Sequence, residues 1–169
     1  MRILNCLRQI SDETGETVHY SALDMDCAVL VFRVKGTQRV SVDFQIGDRS
    51  PLLCTSIGKV LLAYSDWRFA EKIIGRGLPK VAPKTITDAH QLRHELSRVR
   101  AQGYAFDDME SSDDMRCLAI PVFEKGGHVP GGIAISEPSS RFDLDKLDRL
   151  RALAMPYAAD LSRMLGGFV

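Results

Sequence analysis

The chain has 169 residues, 45% of them hydrophobic, which suits one domain with a sizeable core. Lys plus Arg and Asp plus Glu both number 22, so no basic field draws the chain to nucleic acid, and it carries no DNA-reading motif. No apolar run reaches the roughly 20 residues of a membrane span and no signal-peptide pattern opens the chain, while Cys6, Cys27, Cys54 and Cys117 lack CxxC spacing, as reduced cytoplasmic thiols would.

Met1 to Thr14 places Ile3, Leu4, Leu7 and Ile10 on one helical face, and Gly15 stops that helix. Thr17 to Leu23 alternates as a half-buried strand, with Val18, Tyr20 and Ala22 on one side and Thr17, His19 and Ser21 on the other. Asp24 to Asp26 makes a turn. Cys27 to Val34, almost continuously apolar, reads as a central strand covered on both faces. Val40, Val42, Phe44 and Ile46 alternate with polar residues in an expected third strand of a meander.

Gly47 to Ala63 is the stretch around which the rest is organised. It runs from a strand end, through a loop at Pro51, into an apolar helix with Thr55 and Ser56 where an N-cap belongs. A helix start exposes unpaired N–H groups and the positive end of the backbone dipole, a natural seat for a small anion.

Asp66 caps a short helix carrying Phe69, Ala70, Ile73 and Ile74, and Gly75 to Pro83 is a crossing loop. Thr87 or Asp88 caps the next helix, with Gln91 placed as in a capping box and Gly103 at its end. His90 and His94 stand four apart there, a metal-ligand spacing, but their polar neighbours mark a solvated face and no metal or cofactor is expected. Strands over 104–109, 115–125 and 129–137 follow, then a long helix from Asp143 in which Pro156 should place a kink.

Gly126-Gly127 fits a two-residue hairpin turn. Lys125 then pairs with His128, which sets Cys117 opposite Ser136 and Ala119 opposite Ala134 on one face, with Leu118, Ile120, Val122, Ile133 and Ile135 on the other. The apolar set reads as a layer under helices. The small, weakly polar set leaves room for a ligand, with Met115 at its margin. A bulge near Pro130 would slip this register. Asp107 either turns a carboxylate to the same region or belongs to a solvated cluster with Asp108, Glu110, Asp113 and Asp114.

These residues resemble the effector-binding domain of the IclR family of bacterial transcriptional regulators. The likeness runs through Thr14 to Thr17, Gly47 to Ala63, Thr85 to Thr87, Gly103 to Asp107, Arg116 to Phe123 and Ile135 to Arg141. It implies an α/β (α+β) domain over 1–169, a GAF/profilin-like curved antiparallel sheet with helices packed on one face. It also implies a winged helix-turn-helix DNA-binding domain ahead of this chain. Carried over by motif, the ligand-binding residues are Asp107, Cys117 and Ser136 with the amides of Ser56 and Ile57, and Met115, Leu53 and Ala134 beside them. Ser56 stands where Gly or Ala is usual, Ala134 where some members have serine, Met109 for a frequent Glu and Glu137 for a frequent Gly. Asp114 replaces a common Gly, a place where Asp is read as tolerating the left-handed conformation.

The resemblance implies a sensor of a small organic acid or sugar-derived metabolite, forming a homodimer or homotetramer and reaching DNA only through the other domain. Two alternatives stand beside it. One is a thiol-dependent enzyme using Cys117 or Cys54, for which no histidine is obviously placed. The other is a pure dimerisation module with a vestigial pocket.

Overall fold

The computed structural model of the chain describes residues 2–168. Helix α1 (Arg2–Thr14) leads into strands β1 (Thr17–Asp24) and β2 (Cys27–Val34), and a short β3 (Arg49–Pro51) follows. Helices α2 (Ser56–Tyr64), α3 (Trp67–Ile74) and α4 (Ala89–Gln102) come next. Strands β4 (Ala105–Asp108), β5 (Met115–Val122) and β6 (Gly131–Pro138) and helix α5 (Leu144–Met164) complete the chain. The strands form one sheet in the order β3-β2-β1-β6-β5-β4, every neighbouring pair antiparallel.

The helix boundaries follow local chemistry. Thr55, Asp66, Asp88 and Asp143 are the N-caps of α2 to α5, each side chain accepting a first-turn amide. Gly103 closes α4 with φ 80°, a conformation that costs glycine nothing.

The curved antiparallel sheet with helices over its outer face is as the sequence implies. Leu7 and Ile10 of α1 and Leu150, Ala154 and Leu161 of α5 bury against Val18, Tyr20, Leu118, Ile120, Ile133 and Ile135. On the inner face α2 packs over part of the sheet as well, its Ile57, Val60 and Leu61 sharing a core with Ala28, Ala105, Ala119 and Ala134. The small residues at 119 and 134 therefore admit a helix there, whereas ligand room was expected.

Three other expectations change. β1 is buried on both faces, because its polar side chains Thr17, His19 and Ser21 point to the interior. The expected strand at 40–46 is instead an irregular strap, and only Arg49–Pro51 pairs with β2. The strap is held by side chains in place of a ladder. Thr17 Oγ1 donates to the Val42 carbonyl at 2.9 Å, and Arg33 donates to Asp43 at 2.8 Å and to the Phe44 carbonyl. Finally, Met109 (φ 60°) and not Asp114 takes the left-handed conformation in the 109–114 region.

The β5–β6 register is the one expected, with Cys117 opposite Ser136 and Ala119 opposite Ala134. The connection that produces it differs. Glu124 N donates to His128 O at 2.8 Å and Gly127 N to Glu124 O at 3.1 Å, so the turn holds Lys125, Gly126 and Gly127 as its loop residues. That pairing runs one residue short of the ladder, which resumes at Val122 and Gly131. The extra residue lies in Val129-Pro130, a bulge of the kind proline favours because it has no N–H to donate.

Candidate ligand-binding site

The inner face of the sheet that α2 leaves uncovered forms a cavity of about 290 Å³. Its floor is made by alternate residues of the central strands: His19 and Ser21 of β1, Ser136 of β6, Cys117 of β5 and Asp107 of β4. Thr55, Ser56 and Ile57 at the tip of α2 form one wall, and Phe44 of the strap with Ser50 and Pro51 of β3 another. Met115, Ser111, Leu30 and Val81 complete the apolar and hydroxyl rim.

Six of the eight residues named from the sequence line this cavity: Ser56, Ile57, Asp107, Met115, Cys117 and Ser136. Ala134 and Leu53 do not. Ala134 is under α2, and Leu53 packs against the same core. His19, Ser21, Phe44 and Asp48 were not anticipated. The signal for His19 and Ser21 was present as the polar half of an alternating strand, but alternation alone does not say whether the polar side meets water or an internal cavity.

The tip of α2 keeps its first amides available. Gly58 N is capped by Thr55 Oγ1 at 3.0 Å and Lys59 N reaches Thr55 O at 2.9 Å, leaving Ser56 N and Ile57 N with no acceptor among the described residues. Gly58 is what brings this tip to the sheet. A Cβ there would sit 2.5 Å from the Leu52 backbone.

Polar contacts converge on the floor. The Cys117 thiol donates to Ser136 Oγ at 3.1 Å, and His19 Nε2 lies 3.2 Å from the same oxygen. Burial pushes the His19 imidazole down to about 4, so it is neutral near pH 7. Burial, reinforced by the Asp107 charge, pushes the Cys117 thiol well above its ordinary range. A thiol held protonated beside a neutral imidazole is the reverse of an activated thiolate–imidazolium pair.

Asp107 is fully buried at the end of β4 and accepts from Glu110 N at 2.7 Å and from the Ser111 amide and hydroxyl. Burial raises its carboxyl above the usual range, while Ser111, Glu110 N and Lys59 pull it back. The solvated-cluster alternative fits only Asp113 and Asp114, which are exposed, since Glu110 is buried and Asp108 bridges Lys84 and Arg116. His90 and His94 are exposed on α4, and no group of three His, Cys, Asp or Glu able to hold a metal occurs among the described residues.

Behind the cavity, Lys59 of α2 is wholly buried, an arrangement the apolar reading of that helix missed. Its ammonium donates to Glu95 at 3.0 Å, to Glu110 at 2.6 Å and to the Phe106 carbonyl at 2.6 Å. No lysine or arginine lines the cavity itself. Hydroxyls, one imidazole and bare helix amides supply its donors, and Asp107 and Asp48 its carboxylate acceptors.

Residues 2–163 match the family described as bacterial transcriptional regulator IclR C-terminal. The HTH-type transcriptional regulator KdgR of Escherichia coli K12 is 36% identical over 161 residues, 95% of this chain and 61% of KdgR. The chain spans 53 to 62% of the length of the first such relatives. The crystal structure of the C-terminal domain of E. coli KdgR superposes with a TM-score of 0.85 at 34% identity, covering 98% of this chain and 99% of that one. The inducer-binding domain of PobR from Acinetobacter, a double mutant in complex with 3-hydroxybenzoic acid, superposes with a TM-score of 0.88 at 27% identity over 95% of each chain.

Proposed function

Because the chain belongs to the IclR family as its C-terminal domain, we propose that it is the ligand-sensing and oligomerisation domain of a bacterial transcriptional regulator, its cavity taking a small organic acid or sugar-derived metabolite. The observation that carries this reading is the cavity itself, where a helix tip with two free amides faces a floor of hydroxyl, thiol and imidazole groups. The PobR inducer-binding domain, of the same fold, holds an aromatic hydroxy acid. Ser56, Ile57, Asp107, Met115, Cys117 and Ser136 are the proposed contacts, to which the geometry adds His19 and Ser21.

In this reading DNA is contacted by a winged helix-turn-helix domain ahead of residue 1, in a cytoplasmic homodimer or homotetramer. No helix among the described residues is long and apolar enough to cross a membrane. The domain performs no catalysis. It biases the regulator's conformations by binding one more tightly than the other. The protonated Cys117 thiol weighs against the thiol-enzyme alternative, and an open cavity of about 290 Å³ against a vestigial pocket.

Thermal unfolding of the chain in pyruvate, D-gluconate and 3-hydroxybenzoate tests the proposal. An acid at a hundredfold its Kd stabilises by about 2.7 kcal/mol, which raises Tm by roughly 5–10 °C in a domain of this size. Ser136→Ala should reduce that rise. A flat Tm across a broad panel of hydroxy and keto acids, in wild type and variant alike, would remove the proposal.

A further inference from the structure

The ring of His19 lies between two serine hydroxyls. Nδ1 is 3.2 Å from Ser21 Oγ and Nε2 is 3.2 Å from Ser136 Oγ, which also accepts the Cys117 thiol at 3.1 Å. Phe44 of the strap meets the ring edge-on at 5.3 Å. Arg33, the cross-strand partner of His19 on β2, is turned to Asp43 and the Phe44 carbonyl. Asp107 and Asp48 are the charged residues among those lining the cavity.

A neutral imidazole has one donor and one acceptor, and a hydroxyl has one proton to give. With the ring proton on Nε2, His19 donates to Ser136, Ser21 donates to Nδ1, and the Ser136 proton is free. With the ring proton on Nδ1, His19 donates to Ser21, Ser136 donates to Nε2, and the Ser21 proton is free. The thiol contact to Ser136 survives in both arrangements, because an oxygen has two lone pairs.

We propose that His19 is a positioning residue that sets which ligand acceptor the cavity takes, its ring proton deciding whether Ser136 or Ser21 turns a hydroxyl toward the ligand. This deepens the ligand-binding reading above and rests on it for the ligand itself. In either arrangement one O–H is left for a carbonyl or carboxylate oxygen. The floor thus accommodates an acceptor at either of two places without moving a strand. A charged side chain fixed at one of those places would give up that freedom.

The relay is tested first without ligand, by nitrogen-15 NMR of the His19 ring at pH 7, assigned by its loss in His19→Gln. In wild type both ring nitrogens should fall between the protonated and bare limits. Ser21→Ala should move the proton to Nε2, where Ser136 still accepts it, and Ser136→Ala should move it to Nδ1. One unchanged tautomer in all three proteins, or a charged ring, overturns the proposal whether or not any acid binds.

The second test uses whichever of pyruvate, D-gluconate and 3-hydroxybenzoate stabilises the wild type. His19→Phe keeps a ring but removes both contacts, and should weaken binding roughly tenfold. In His19→Gln the amide reaches the Nε2 position and should restore part of the loss through Ser136. Equal losses in both variants overturn the relay. Absence of binding to the wild type speaks against the ligand reading alone and leaves the relay to the tautomer measurement.

Discussion

Lys59 Nζ and Glu110 Oε1 lie 2.6 Å apart with the lysine wholly buried, and this pair ties the α2 wall of the cavity to the Asp107 end of its floor. Lys59 stands one turn along α2 from the tip residues Ser56 and Ile57. Glu110 follows the Asp107 that accepts its amide. Glu95 of α4 closes the triad at 3.0 Å. Replacing Lys59 by Met leaves two carboxylates facing each other in the interior, and removing one partner of a buried pair costs about 3–5 kcal/mol. Urea denaturation of Lys59→Met should show a loss in that range. Glu110→Gln keeps an acceptor for the ammonium and should lose less. A Lys59→Met variant within about 1 kcal/mol of wild type would mean that the triad does not brace the cavity.

Much of this domain could be read from the chain, and the failures have physical causes. Caps announced themselves, since a hydroxyl or carboxylate before an apolar run has few other uses. The pairing of Cys117 with Ser136 was also legible, though two irregularities cancel to give it: a three-residue turn removes one position and the bulge at Val129-Pro130 restores it. His19 and Ser21 escaped because a polar face toward a cavity has the same period as one toward water. Lys59 escaped because its carboxylate partners lie 36 and 51 residues away, beyond any local pattern.

Gly58 should be among the least replaceable positions of α2. Its absent side chain lets the helix rest on the backbone of Leu52, where a Cβ would meet Cα and O at 2.5 Å. Backbone cannot rotate aside as a side chain can, so the helix tip has to move. Gly58→Ala, although it raises helix propensity, should destabilise by roughly 1–3 kcal/mol, the usual cost of overpacking. Chemical denaturation measures it. A stabilised Gly58→Ala would show that α2 does not need this close seat.

The buried thiols should be slow to alkylate. Burial pushes Cys54 up to about 11, with the Asp107 and Glu110 charges adding to it, and Cys117 lies higher still. Against its ordinary value of 9.0, the thiolate fraction at neutral pH drops on the order of 100-fold at Cys54. Iodoacetamide at pH 7.5 followed by peptide mass spectrometry should label both far more slowly in the native chain than in urea. Rapid, selective labelling of native Cys117 would reopen the thiol-enzyme alternative.

The pH dependence of stability should carry the signature of His19. Its folded value of about 4 lies below that of a free histidine near 6.5. Between those two pH values the unfolded chain binds a proton that the folded chain refuses. The contribution is therefore complete above about pH 6.5 and is lost as pH falls toward 4, an amount of about 3 kcal/mol at 1.4 kcal/mol per unit. Asp107, Glu110 and Glu137 work in the other direction. Burial raises all three, so folded protein keeps protons that unfolded chain releases, and their ionisation penalty is relieved as pH falls. The total curve mixes both signs, but the difference between wild type and His19→Gln isolates the histidine, since the carboxyl groups are common to both. That difference should be flat above pH 7 and shift against the wild type by about 3 kcal/mol by pH 4, measured by urea denaturation across the series. A difference that stays flat through pH 4 would mean that the folded His19 ring takes up its proton as readily as a free histidine, and the cavity floor would then carry a charge below about pH 6.5.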